Sequence, residues 1–239
     1  MPEFWHKSQQ RGRETVAFWR QYHPSLTVRG TTPDAHAADI ARLEPLAQAL
    51  AAARTHVKTM KQAELAAFAR LRLLNLAVPL LIAGRFDAGH PVRSALPLIY
   101  ALVPRSDVLN LRRARRLIAV WRQANAALAT RKPGDAIMRD DVGVTEFAQL
   151  VRAYPQTLSA TAGAVTAFRQ ARTQLRQQHR RVDDLNKRAY GKFTAETLRD
   201  KVKLAALRAA ITREKTSGSR RRRSRQPLAV AADSSHNPA

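Results

Sequence analysis

The chain has 239 residues, with 42 basic against 18 acidic side chains, a formal net charge of +24 and no cysteine. Disulfides and thiolate metal sites are therefore excluded. A charge of this sign attracts polyanions such as nucleic acid or anionic lipid heads, although 33 Arg against 9 Lys in an Ala-rich chain also fits compositional bias.

Glycine is scarce, at 9 residues, and aromatics make up 6% of the chain. With abundant Ala, Leu, Arg and Gln, this favours helix over sheet. The opening MPEFWHKSQQRGR lacks the apolar centre of a secretory signal. The most apolar runs, residues 73–83 and 96–103, fall short of the ~20 residues of a membrane span. A cytoplasmic protein with no membrane partner is expected.

Residues 1–32 read as an N-terminal arm with one short helix over about 12–22, ended by His23-Pro24. Trp5, Phe18 and Trp19 stand among Arg11, Arg13 and Arg20. Such rings stack on bases in some proteins and more often dock on a neighbouring bundle. Thr32-Pro33-Asp34 is a helix start: a capping hydroxyl, a proline that forfeits no needed hydrogen bond, and a carboxylate at the positive helix end.

Beyond it, steps of seven from Leu43 meet Leu50, Val57, Glu64, Leu71 and Val78, and steps of seven from Leu46 meet Ala53, Met60, Ala67, Leu74 and Leu81. Apart from Glu64 every position is apolar, which is an a/d seam calling for a partner helix. Pro45 predicts a kink or restart and Pro79 a bend, and Gly84, Gly89 and Pro91 mark the exit. Glu64 reads as a register marker paired to an Arg of a neighbouring helix.

Residues 92–104 suggest a short buried helix closing the bundle. Ser106-Asp107 starts a helix to about Arg131, with Leu111, Ala114, Leu117, Trp121, Ala124 and Leu128 inward. Lys132-Pro133-Gly134 stops it, and residues 135–143 form a loop. Thr145 caps a segment that meets Pro155. A second long helix follows over about 156–189, with Phe168, Leu175, Val182 and Ala189 in sevens and Gly191 as C-cap. Thr194 begins the last helix, with Leu198, Val202, Ala205 and Ala209 facing inward. From residue 216 the composition turns to Ser, Arg, Pro and Asn, that of a disordered basic tail.

The fold class expected is all-α, an elongated antiparallel helical bundle with long coiled-coil-like helices. Its domains are the arm 1–32, the bundle 33–215 and the tail 216–239. No repeat with a period of 20–50 residues is found, so a solenoid is not expected.

Catalytic patterns are lacking. None of the seven histidines forms an H-x-x-x-H or E-x-x-H pair, and no phosphate-cradling G-x-x-x-x-G-K or G-x-S-x-G occurs. Asp183-Asp184 reads as a ladder of helix ion pairs with Arg180, Lys187 and Arg188, and Asp140-Asp141 as a loop pair without a third ligand. No catalytic residue, metal or cofactor is expected.

The charge is uneven: residues 92–139 carry +8 and residues 216–239 carry +4. Arg112, Arg113, Arg115, Arg116 and Arg122 flank the Trp121 stripe of one helix, and Arg220, Arg221, Arg222, Arg223 and Arg225 form an arginine-rich cluster in the tail. These ten are the candidate nucleic-acid-binding residues. The function expected is that of a non-catalytic binding or scaffold protein that associates with nucleic acid or another polyanion. The alternative is a structural coiled-coil module for protein partners or self-association through its helix seams, its basicity incidental.

Overall fold

The computed structural model describes residues 4–96 and 106–218. The protein is all-α: among these residues every regular element is a helix, and two isolated β-bridges sit in tight turns. The helices are α1 (Phe4–Tyr22), α2 (Pro33–Ala41), α3 (Leu43–Arg85), α4 (Pro91–Ser94), α5 (Asp107–Arg131), α6 (Val144–Thr197) and α7 (Lys201–Gly218).

Several local readings hold. Thr32 Oγ1 accepts a hydrogen bond from the Ala35 N–H at 3.2 Å, with Pro33 in the first turn. The chain restarts at Leu43, just before Pro45, and Ser106 is the N-cap residue of α5. Every seam position from Leu43 to Leu81 is buried or half-buried, and between residues 49 and 66 nothing else is.

Others are corrected. The first helix begins at Phe4 rather than near residue 12. Pro155 and Gly191 interrupt nothing, because α6 is one helix of 54 residues. Pro155 falls at the start of its fourth turn with its ring exposed, and Gly191 meets no neighbour that would force a turn. Thr194 lies inside α6. Asp200 starts the last helix instead, its Oδ1 accepting from the Val202 and Lys203 N–H groups at 3.1 Å. That later start rotates the inward face onto Leu204 and Leu207 and leaves Leu198, Val202, Ala205 and Ala209 exposed. Most of the expected closing helix 92–104 lies outside the described residues; Val92 and Leu96 within it are buried. Of the tail, residues 216–218 belong to α7 and the rest lies outside.

Two compact units divide the chain: the first takes Met1–Gln48 with Thr173–Ala239, the second Ala49–Arg172. The core of the first gathers Phe18, Trp19 and Val28 with Leu185, Ala189, Phe193 and Leu207. That of the second gathers Leu71, Leu74, Val78, Ile82 and Phe86 with Leu117, Trp121, Leu128, Phe147, Val151 and Tyr154. In this unit Thr161 Oγ1 reaches the Met60 carbonyl at 3.4 Å, and the Phe68 and Tyr154 rings lie 6.3 Å apart. Those contacts occur in reversed chain order, so α3 and α6 are antiparallel where they meet here.

Both units share one internal plan. In the first, Trp19 Nε1 donates to the Leu26 carbonyl at 2.7 Å, and a turn follows that bridges Val28 and Thr31, with positive φ at Arg29 and Gly30. In the second, Trp121 Nε1 donates to the Ile137 carbonyl at 2.9 Å, before a turn bridging Arg139 and Val142, with positive φ at Asp140 and Asp141. Two consecutive left-handed residues make both of these type I′ turns. Each Trp ring then meets an aromatic ring of the next helix, His36 at 6.3 Å or Phe147 at 5.8 Å. The chain is therefore an internal duplication. Positions in the first helix correspond at a separation of 102, and those from the turn onward at 111. On that correspondence α6 is the unbroken counterpart of α2 plus α3.

By length and composition one helical stretch, Pro33–Arg85, holds a window apolar enough to cross a membrane, with mean hydropathy 1.7 and 33% of it buried. The same helical stretch supplies Leu71, Leu74, Val78 and Ile82 to a core.

Candidate nucleic-acid interface

Helix α5 is pinned along its length. At its start, Tyr154 Oη donates to Asp107 Oδ1 at 2.8 Å, and Asn75 Nδ2 donates to the Asn110 carbonyl at 3.1 Å. Burial, then the Asp107 hydrogen bond and the charges of Asp107 and Glu64, push the Tyr154 hydroxyl well above its ordinary pKa. In the second half Trp121 holds the Ile137 carbonyl, while Asn125 Oδ1 accepts from the Ile137 N–H at 2.9 Å. Ala114, Leu117, Trp121, Ala124 and Leu128 are buried as expected, so the opposite face is fixed in its exposure.

That face carries Arg112, Arg115, Arg116 and Arg122, all exposed. At 3.6 residues per turn they span an arc of about 120°. Among the described residues none of the four has a carboxylate partner. Arg113 differs: it is half-buried, and burial disfavours its charged form. Arg220, Arg221, Arg222, Arg223 and Arg225 lie outside the described residues.

Sequence reasoning missed Arg152 on α6. It joins Arg115 and Arg122 around a cavity of about 400 Å³ floored by Ile118, Ala148, Val151 and Pro155. No sequence pattern signals it: Arg152 lies well beyond the repeated Arg-x-Arg-x-x-x-Ala-x-Trp-Arg-Gln of Arg11 to Gln21 and Arg113 to Gln123, and only the fold brings it to Arg115 and Arg122.

No family model, curated protein or solved structure matches this chain.

The polar cluster of the first unit is the other place where chemistry might reside. His36 Nε2 and Asn186 Oδ1 are 2.7 Å apart, and Asn186 Nδ2 donates to the Ser8 carbonyl at 3.2 Å. Ser8 Oγ lies 2.9 Å from His179 Nε2. Asp39, buried, sits 2.9 Å from Arg181 Nε, and its carbonyl accepts from Gln178 Nε2 at 2.7 Å. Burial pulls the His36 imidazole below its ordinary pKa, against the raising effects of Asn186 and Asp39. At the corresponding positions the second unit has Phe147 for His36, Leu150 for Asp39, Phe68 for His179 and Ala67 for Gln178. This cluster is a polar version of a core that its sister builds from apolar groups.

Asp183 and Asp184 pair along α6 with Lys187 at 2.7 Å and Arg188 at 2.8 Å, an ion-pair ladder. Asp183 also meets Arg11 at 3.8 Å, while Arg180 takes no part. Glu64 is half-buried but has no ion pair among the described residues, so the expected Arg partner is absent. It faces the Tyr154 region instead. No group of three or more metal-ligating side chains occurs among the described residues.

Proposed function

We propose that the protein binds nucleic acid or a similar polyanion, without catalysis, through the exposed arginines of α5. The observation that carries this reading is that, among the described residues, Arg112, Arg115, Arg116 and Arg122 have no carboxylate partner, on a helix held rigid from behind. Elsewhere many cations are spoken for: Arg20 by Asp34, Arg181 by Asp39, Arg188 by Asp184. Guanidiniums with free donor forks match phosphate oxygens, and each neutralised phosphate releases condensed counterions.

The test is fluorescence anisotropy with labelled duplex DNA and RNA over a range of salt. Log affinity should fall linearly with log salt, by ~0.9 per contacted duplex phosphate. Changing Arg112, Arg115, Arg116 and Arg122 to Glu should abolish most binding. Deleting residues 219–239, which removes a net +4, should weaken it less. A parent protein that binds nothing at low salt overturns the reading.

A second reading, a module for protein partners, draws on α3. Leu65, Leu73, Leu76 and Leu80 are exposed there and fall within about 80° of one another around the helix. If nucleic acid does not bind, this apolar row makes protein association the reading to pursue.

A further inference from the structure

Internal duplication provides a control that a single domain lacks, because each groove can be compared with its sister. The α5–α6 groove of the second unit is lined by Arg115, Ile118, Arg122, Ala148, Val151, Arg152 and Pro155. In the first unit, Arg13, Val16, Ala17, Arg20, Ala37, Ile40 and Ala41 line a groove of about 310 Å³ between α1 and α2. By the separations of 102 and 111, Arg13 answers to Arg115, Val16 to Ile118, Arg20 to Arg122, Ala37 to Ala148, Ile40 to Val151 and Ala41 to Arg152. The apolar floor is common to both and belongs to the packing of the fold. The charge is not common.

In the first unit, Arg20 Nε and Nη2 both donate to Asp34 Oδ1, at 3.1 and 2.6 Å. The counterpart of Asp34 is Thr145, which has no charge to offer. In the second unit a third arginine, Arg152, replaces Ala41, and Arg115, Arg122 and Arg152 have no ion-pair partner among the described residues. Three guanidiniums around one groove repel one another, and an anion between them turns that repulsion into attraction. Arg115 and Arg122 are separated by two helical turns, ~10.5 Å along the axis. That distance is about three steps of a nucleic-acid strand at ~3.4 Å each.

We propose that the α5–α6 groove is a phosphate-gripping site for one nucleic-acid strand, and that the α1–α2 groove is a silenced copy of it. Arg115, Arg122 and Arg152 hold phosphates, and Ile118 and Pro155 receive the apolar faces of sugar and base. Asp34 silences the first groove by occupying Arg20. The proposal rests on the polyanion reading and adds to it a place and a stoichiometry.

The experiment uses the full chain and a fluorescein-labelled single-stranded DNA 12-mer. Arg115, Arg122 and Arg152 are changed to Gln, and a charge-matched control changes Arg54, Arg112 and Arg116 to Gln. Circular dichroism melts establish that both variants fold. The groove variant should lose at least tenfold more affinity than the control, and its salt slope should drop by about 2, near 0.7 for each of three phosphates on a single strand. Equal losses in the two variants overturn the site while leaving the polyanion reading in place. A parent that binds no DNA overturns both. Independently, Asp34→Thr with Ala41→Arg writes the second groove's residues into the first. It should raise the stoichiometry from one strand per chain to two, and an unchanged stoichiometry overturns the silencing.

Discussion

A Cβ added to Gly12 would lie 2.6 Å from Cδ1 of Ile40, far inside van der Waals contact. At the sister positions the pair is Ala114 and Val151, both buried. One methyl group has moved across the interface between first and second helix, and the summed side-chain carbon is the same. Gly12→Ala alone should cost about 1–3 kcal/mol of overpacking, more than the ~1 kcal/mol that alanine gains in helix propensity. Ile40→Val alone should cost about 0.5–1.5 kcal/mol. Combined, the two should restore parental stability or exceed it. A double-mutant cycle by urea denaturation measures the coupling, and simple additivity would refute the compensation.

Asn75 and Asn186 are sister residues, both buried, and each donates to a backbone carbonyl of the facing first helix. Replacing either with Leu removes a buried hydrogen bond to a carbonyl that keeps its helical partner, at a cost of about 0.5–1.5 kcal/mol. Asn186→Leu should cost more, because His36 also loses its hydrogen-bond partner. Chemical denaturation of the two single variants ranks them, and the reverse order would contradict the network.

Glu64 occupies the position that Leu175 fills in the sister unit, where the side chain is 2% exposed. Glu64→Leu should leave stability unchanged or raise it by about 1 kcal/mol, since a half-buried carboxylate with no ion-pair partner among the described residues gives way to an apolar group. It should also lower the Tyr154 pKa by removing one of the charges that raise it. A spectrophotometric tyrosine titration reads the second effect. Loss of the fold would show that Glu64 serves an essential network.

His36 makes stability depend on pH. Its folded-state pKa lies below the ordinary 6.5, chiefly through burial, with Arg181 lowering it further and Asn186 and Asp39 opposing. The unfolded chain therefore takes up a proton on this residue more readily than the fold does. The contribution is complete above the unfolded pKa and is lost as pH falls below about 6.5 toward the folded value. Melting temperatures between pH 7.5 and 5 should decline, and the decline should be shallower in His36→Phe, which installs the sister residue. Parallel declines in both proteins would assign the effect elsewhere.

Much of the fold was legible because helices announce themselves through periodicity. The α3 seam and the α5 stripe were read position by position, and Thr32-Pro33-Asp34 started its helix as expected. Prolines and glycines misled where tertiary packing overrode local preference: Pro155 and Gly191 lie within an uninterrupted α6. The α7 face was misread because Asp200 sets its phase from outside the apolar pattern. The duplication is not legible as a short repeat, because its halves correspond at separations of 102 and 111. Apart from the Arg-x-Arg-x-x-x-Ala-x-Trp-Arg-Gln pattern the halves have diverged, with compensating pairs such as Gly12–Ile40 and Ala114–Val151 preserving shape rather than identity. Of the candidate site, the α5 arginines were visible as a charge cluster. Arg152 was not, because only the fold brings it to Arg115 and Arg122.

The first unit is assembled from Met1–Gln48 and Thr173–Ala239, whereas the second is contiguous. During synthesis, α1 therefore leaves the ribosome long before the chain that must cover it exists. At ~5–20 residues per second, Phe18 and Trp19 wait roughly 10–40 s for Phe193 and Leu207 to be made. The contiguous unit can close in that interval. Until then the aromatic face of α1 lacks the residues that bury it.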